Sequence, residues 1–333
     1  MPLALFFYNI IIIINNSNIV IRDNMIEIKN LTKKISSNKI LDNINFSVQK
    51  GEVLGFLGPN GAGKSTTMKI ITSFWLPNSG SVKIDDIDVS KNSIETRKRI
   101  GYLPETVPLY EDMLVYEYLK FVAEVRGLNK QETKKRITEV ADECNIRKVM
   151  RKSIDELSKG YRQRVGLAQA IIHNPDVLIL DEPTTGLDPN QIIEIRDLIK
   201  KIGKEKTVIF STHILSEVQA TCDRVVIINN GKIVGEGKPD ELARKAGSKE
   251  LLYIKIKGPH DDVLGKLKEI DNLEHVEIKD KESDGIYGYE ITPKDRVDLR
   301  EKLSITVMRN NWSILEFNKK KIDFEDVFRK LTK

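Results

Sequence analysis

The residue pattern predicts an α/β domain with a helical insertion, followed by a small α+β domain of the ferredoxin-like kind. Three observations carry this. Short β-branched runs alternate with helical stretches from Met25 to about Gly247. Strand signals drop out between about residues 94 and 173, where helical periodicity takes over. After Gly247 the order becomes strand, helix, strand, strand, helix, strand. A length of 333 residues is consistent with two domains, at ~150 residues each.

The chain opens on an apolar run, Leu3 to Ile14, broken only by Asn9. It is too short for a membrane span, which needs ~20 residues. No Lys or Arg precedes it and no small-residue cleavage site follows, so a signal peptide is poorly supported. Regular alternation starts at Met25, where Ile26 and Ile28 alternate with Glu27 and Lys29. We therefore expect Met25 to be the biological start and residues 1–24 to be an extension outside the fold. A weak membrane-surface anchor is the alternative.

Val53 to Leu57 reads as a buried strand that enters a glycine-rich turn and then a helix, Lys64 to Ile71. Within the insertion, helices are expected over Tyr116 to Arg126, Glu132 to Cys144 and Arg162 to His173. Val177 to Leu180 is a second buried strand, and Ile192, Ile195, Ile199 and Ile202 recur at helical spacing behind Pro189. Val208 to Phe210 and Val225 to Ile228 follow as strands, and Asn230-Gly231 marks a hairpin. In the small domain, strands are expected around Leu252, Val276, Ile286 to Ile291 and Ile314 to Phe317. Its helices are expected at Val263 to Ile270 and Val297 to Leu303. A closing helix would carry Phe324, Val327, Phe328 and Leu331 on one face, which reads as packing.

Composition narrows the function classes. Hydrophobic residues make up 40% and charged residues 31%, which excludes disorder over the whole chain. The net charge of +5 is mild and spread out, so nucleic acid is not called for as a partner. Cys144 and Cys222 lie far apart and have no metal-ligand spacing, so they read as reduced thiols and not as a disulfide framework.

Chemistry concentrates at Gly58-Pro59-Asn60-Gly61-Ala62-Gly63-Lys64-Ser65, followed by Thr66, which fits the P-loop template G-x-x-x-x-G-K-[ST]. Its glycines let consecutive backbone N–H groups turn toward a polyphosphate, and the following helix adds its positive end. Lys64 is placed to reach β- and γ-phosphates and the Ser65 hydroxyl to ligate Mg²⁺. A nucleotide and Mg²⁺ are therefore expected here. Asp181 and Glu182 end the strand Val177 to Leu180, at the carboxyl edge where open α/β sheets hold ligands. Asp181 suits the Mg²⁺ sphere. Glu182 suits a general base acting on water. His213, after the strand at 207–210, reaches the same edge, where it would hydrogen-bond the γ-phosphate or the attacking water. His173, His260 and His275 have no such context and read as structural.

Leu157-Ser158-Lys159-Gly160-Tyr161-Arg162-Gln163 stands ahead of that strand, with Ser158 and Gly160 at the start of an apolar helix, a ready anion site. Taken with the P-loop and His213 in this order, the chain from about Met25 to Lys238 resembles the ATP-binding subunit of an ABC transporter. The resemblance implies a homodimer that sandwiches two ATP molecules. Ser158 and Gly160 would meet the nucleotide of the second subunit, and Asp188 of Gly186-Leu187-Asp188 would cross the interface. It also implies integral-membrane permease subunits as partners, at the cytoplasmic face of the membrane.

Three departures from the family pattern stand out. The signature is similar to Leu-Ser-Gly-Gly-Gln but has Lys159 and Tyr161. Glu105 stands where most members have a glutamine; a carboxylate there can still approach Mg²⁺ and water, and the exchange resembles the ABC-2 exporter branch. Ile35 replaces the aromatic that usually stacks on adenine. The C-terminal domain is also similar to the tail of ABC-2-type ATPases, which serve export. The function this implies is ATP hydrolysis that energises a separate permease, an exporter. Tyr110, Met113, Leu114, Val115 and Tyr116 are candidates for the docking face, although a core role is the default for most of them. A soluble ABC-superfamily ATPase acting in translation or DNA maintenance is the alternative. It would ordinarily carry two cassettes, a long coiled coil or zinc cysteines, none of which is seen here.

Overall fold

The computed structural model describes residues 24–239, 241–242, 251–282, 285–294, 297–320, 328, 331 and 332. The expectations for residues 1–23 and for Phe324 and Val327 lie outside them. A six-stranded sheet forms the centre. It comprises β3 (Val53–Leu57), β6 (Ile100–Leu103), β7 (Val177–Asp181), β8 (Thr207–Thr212), β9 (Arg224–Asn229) and β10 (Lys232–Gly237). Their order is β10-β9-β3-β8-β7-β6, parallel except for the β9–β10 hairpin. The hairpin turns at Asn230 and Gly231, both at positive φ, as an Asn-Gly turn requires.

Side chains of the central strands are buried on both faces, as a parallel sheet demands. Leu178 and Leu180 of β7 enter one core cluster while Val177 and Ile179 enter the other. The first cluster is closed by α3 (Val115–Val125), α4 (Lys130–Glu143), α5 (Lys159–Ile171) and α6 (Pro189–Gly203). The second is closed by α1 (Lys64–Ile71) and an antiparallel sheet. That sheet has β1 (Asn24–Ile35) and β2 (Asn38–Gln49) beside β4 (Ser79–Ile84) and β5 (Ile87–Asp88), in the order β2-β1-β4-β5.

Helix boundaries follow local chemistry. Asn129 caps α4, accepting from the Gln131 and Glu132 N–H groups, while Glu132 accepts from the Asn129 N–H at 2.8 Å. Asp188 caps α6 ahead of Pro189, accepting from the Gln191 N–H at 2.9 Å.

One expectation is corrected in the insertion. The stretch from 94 to 173 is not free of strands, because Ile100 to Leu103 forms β6 and pairs in parallel with Val177 to Leu180. Four residues containing a glycine give no readable period. Gly101 is needed because a Cβ there would overlap the Ala170 carbonyl oxygen.

The C-terminal region forms its own sheet from β11 (Leu251–Lys257), β12 (Leu273–Lys281), β13 (Ile286–Pro293) and β14 (Ser313–Lys320). The order is β12-β13-β11-β14, all antiparallel, with α8 (His260–Lys268) and α9 (Arg300–Arg309) as the crossing helices. The helix α9 begins later than Val297, because Leu299, Leu303 and Val307 form the buried stripe while Val297 is exposed. Phe328 and Leu331 pack back against Leu57, Val218, Val225, Ile227 and Leu242. Among the described residues no helix is long and apolar enough to cross a membrane.

Candidate functional site

The carboxyl edge of the parallel sheet carries a cavity of about 420 Å³, lined among others by Asn60, Lys64, Ser65, Glu105, Glu182 and His213. The P-loop wraps its floor. Gly61 and Gly63 have φ of 79° and 110°, and a Cβ at Gly63 would stand 2.6 Å from Leu41 Cδ2. A side chain other than glycine's would be strained at both positions and crowded at Gly63. The loop is tied to the β9–β10 hairpin by Gly231 N–H donating to the Ala62 carbonyl at 3.0 Å.

Lys64 is only 6% exposed and donates to the carbonyls of Gly58 (2.8 Å) and Pro59 (3.2 Å). Its ammonium also lies 3.1 Å from Glu182 Oε1, an oxygen with no aligned hydrogen-bond donor. Glu182 adopts a left-handed backbone, φ 50°, which turns the chain sharply after Asp181. The turn is held by the Glu182 N–H donating to Ser211 Oγ at 3.0 Å. Its other carboxylate oxygen meets His213 Nδ1 at 2.8 Å and accepts from Thr185 Oγ1 at 3.3 Å. Glu182, Lys64 and His213 thus form one connected group at the cavity wall.

Asp181 is buried and accepts at Oδ1 from Ser211 Oγ (2.6 Å) and Ser65 Oγ (3.1 Å). Burial raises its pKa, against the pull of both hydroxyls. Nearby, the Tyr102 hydroxyl is buried without a partner, and burial together with the Asp181 charge pushes its pKa up. A buried carboxylate beside a serine hydroxyl, both hard oxygen donors, fits a small divalent cation such as Mg²⁺.

Glu105 is exposed on the cavity rim, after β6. Ser158 and Gly160 stand elsewhere, at the N-terminus of α5, with Ser158 as an exposed N-cap whose side chain makes no cap bond. They do not line the phosphate cavity. Asp188 is occupied in capping α6. Of the docking candidates, Val115 is fully buried and Met113 packs on the core, whereas Tyr110, Leu114 and Tyr116 are exposed. Ile35 is 43% exposed and, with Ile40, lines the outer mouth of the phosphate cavity. Cys144 and Cys222 are free thiols, and burial raises both pKa values.

The sequence reading missed Glu217, which is 1% exposed and accepts from Thr184 Oγ1 (2.6 Å) and Thr212 Oγ1 (2.7 Å). It bolts the segment after Glu182 to the segment before His213. Its only sequence signal is an acid one helical turn beyond His213. Ser211, which anchors both Asp181 and Glu182, was also missed.

Comparison with known proteins places this geometry. The model of the ABC transporter family matches residues 41–185. The chain is 39% identical over 219 residues to the ABC transporter ATP-binding protein NatA of Bacillus subtilis, covering 65% of this chain and 89% of NatA. It is 34% identical over 311 residues to the bacitracin transport ATP-binding protein BcrA of Bacillus licheniformis, 92% of this chain and 97% of BcrA. Among solved structures, a bacterial ABC transporter cassette determined as a dimer is similar at a TM-score of 0.60 and 28% identity. That match covers 64% of this chain and 98% of the cassette. A post-hydrolysis state of the same cassette, bound to ADP and Pi, is similar at a TM-score of 0.59. On the cavity, the sheet order and these likenesses, the chain belongs to the ATP-binding proteins of ABC transporters.

Proposed function

We propose that this chain hydrolyses ATP with Mg²⁺, works as a homodimer with two nucleotides at its interface, and energises a separate integral-membrane permease from the cytoplasmic face. The observation that carries the reading is the convergence of the P-loop and Lys64 with Glu182 and His213 in one cavity. The extended likeness to BcrA supports an exporter as the partner. We also propose that residues 25–247 form the ATP-binding domain, with residues 94–173 holding its helical subdomain, and that residues 248–333 form an accessory domain.

The geometry supports a role for each of these residues. The P-loop amides from Gly58 to Thr66 and the α1 N-terminus cradle the phosphates. Lys64 exchanges Glu182 and the loop carbonyls for β- and γ-phosphate oxygens. That exchange frees the Glu182 carboxylate to accept a proton from water as general base. His213, held by Glu182 at 2.8 Å, positions that water or the γ-phosphate. Ser65 and Asp181 would hold Mg²⁺, with Glu105 on the rim of the same cavity. When bound, the metal neutralises charge on the phosphate oxygens. Ser158 and Gly160 complete the site of the second subunit, and Asp188 lies at the interface. The exposed Tyr110, Leu114 and Tyr116 remain as the permease-facing candidates.

Glu182→Gln tests the reading. It should bind ATP and run as a dimer in size-exclusion chromatography with light scattering. Its turnover should fall about 100-fold or more, the scale of a lost general base. A monomer at saturating Mg·ATP, or undiminished turnover, would contradict it.

A further inference from the structure

Glu217 stands in the first turn of α7 (Leu215–Thr221) and is 1% exposed. Among the described residues no cation pairs with its carboxylate. Instead each of its oxygens accepts one hydroxyl: Oε1 from Thr184 Oγ1 at 2.6 Å and Oε2 from Thr212 Oγ1 at 2.7 Å. Both threonines are buried as well. Thr184 lies two residues after Glu182, and Thr212 directly precedes His213. Thr212 is held twice more. Its hydroxyl accepts from the Ile214 N–H at 3.0 Å, and its carbonyl accepts from the P-loop Gly58 N–H at 3.3 Å. One acid therefore joins the segment after β7, the segment after β8 and, through Thr212, the entry to the P-loop.

Stability does not account for an acid at this position. A carboxylate taken out of water without a counter-charge is costly even when hydroxyls satisfy it, and apolar side chains of similar shape would fill the same space at less cost. The chemistry beside it does account for it. Glu182 holds a left-handed backbone, φ 50°, a conformation that persists only where the surroundings over-determine it. With Lys64 at 3.1 Å, the Glu182 carboxylate is steadied by a cation. Once that cation moves to phosphate, His213 and Thr185 are the partners left to the side chain among the described residues. Both stand on the segments that Glu217 joins.

We infer that Glu217 is a positioning residue for hydrolysis: by holding Thr184 and Thr212 on one carboxylate, it keeps Glu182 and His213 paired after Lys64 has left for the phosphates. Glu217 does not line the phosphate cavity, so its effect passes through Glu182 and His213. Its hold on Thr212 also ties that pair to the P-loop, and base, histidine and phosphate cradle keep one frame. The inference rests on the ATPase reading given above.

Steady-state turnover and equilibrium binding of a fluorescent ATP analogue, both on the full chain, test this. Thr184→Val keeps the side-chain shape and removes one hydroxyl. It should lower kcat about ten-fold or more, the scale of a misplaced catalytic group, while nucleotide affinity stays within about two-fold. Thr184→Ser, which returns the hydroxyl, should recover most of the loss. Glu217→Gln keeps one acceptor oxygen in place of two and should also lower kcat, again without loss of affinity. In a His213→Asn background the Thr184→Val loss should shrink to about two-fold or less, because the pair it serves is gone. Undiminished kcat in either Thr184→Val or Glu217→Gln, or no recovery in Thr184→Ser, overturns the inference. A fall in affinity that matches the fall in kcat, or an equal loss in the His213→Asn background, makes the network a structural tie only and overturns it too. An unaltered chain that does not hydrolyse ATP would overturn the ATPase reading and the inference together, whereas indifferent variants of an active chain overturn only the inference.

Discussion

The two ends of the chemistry are built in opposite ways. Around the P-loop nearly every functional group already has a partner. Lys64 is held by two carbonyls and Glu182, Asp181 by two hydroxyls, and Glu182 by His213, Thr185 and Ser211. At the signature segment Ser158 is exposed, its side chain makes no cap bond, and α5 has no acidic residue in its first turn. The far end of the same helix is fixed instead. The Arg136 guanidinium donates to the carbonyls of Ile171 and Ile172, and His173 Nε2 meets the Ile100 carbonyl at 3.0 Å. A preorganised pocket suits a group that must act at once on its own ligand. A bare helix tip on an anchored rod suits a group that awaits a ligand from outside the chain. The contrast argues for a site completed by a second copy.

The largest expected effect comes from the occupied end. Lys64→Ala removes the cation that would meet the β- and γ-phosphates and leaves Glu182 Oε1 buried without its counter-charge. Nucleotide affinity should fall about 100-fold or more, from the loss of charge-assisted bonds worth ~3 kcal/mol. A fluorescence titration checks this, and micromolar affinity retained by the variant would remove Lys64 from the phosphate role.

Next comes the bare end. Ser158→Arg places a bulky side chain on the exposed tip. It should cut turnover about 100-fold, the scale of a lost transition-state contact, and leave single-chain nucleotide affinity as it was. If affinity fell as well, Ser158 would belong to the nucleotide of its own chain and the contrast would break.

Much of the occupied end was legible in the sequence because its parts are contiguous. Eight residues carry the P-loop, and Asp181-Glu182 directly follow an apolar run. What escaped is what only packing brings together. Ser211 and Glu217 come from a different strand and helix, yet they fix Glu182 and the segments beside it. The strand β6 is four residues long, with Gly101 chosen for contact with Ala170 and not for strand preference. The register of α9 depends on which of several apolar residues face the sheet, and Val297 proved to lie outside the stripe.

The anchored end of α5 predicts a pH effect on stability. Burial and the nearby Arg126 charge depress the His173 pKa to about 4, and Nδ1 is buried without a partner. An unfolded histidine titrates near 6.5, so between about 6.5 and 4 the unfolded chain binds more protons than the folded one. Stability is thus fully present above pH ~6.5 and is lost as the pH falls toward ~4, by on the order of 2 kcal/mol from this residue. Urea unfolding of the whole chain at several pH values should show that slope. His173→Gln, which keeps a donor for the Ile100 carbonyl, should flatten it without altering nucleotide affinity near neutral pH.

The smallest effect concerns the outer mouth of the occupied pocket. Ile35 and Ile40 offer an aliphatic surface where a base would lie, without an aromatic face. Ile35 is exposed on the last residue of β1, so a tyrosine can be placed there without displacing the core. Ile35→Tyr should tighten ATP binding about five-fold, for ~1 kcal/mol of base stacking. Competition by inorganic triphosphate, which has no base, should not change. If triphosphate gained affinity equally, the substitution would be acting on the P-loop, and the mouth could no longer be treated as separate from the phosphate cradle. If neither ligand gained, the base would lie away from β1, and the aliphatic surface would have to be given up as its resting place.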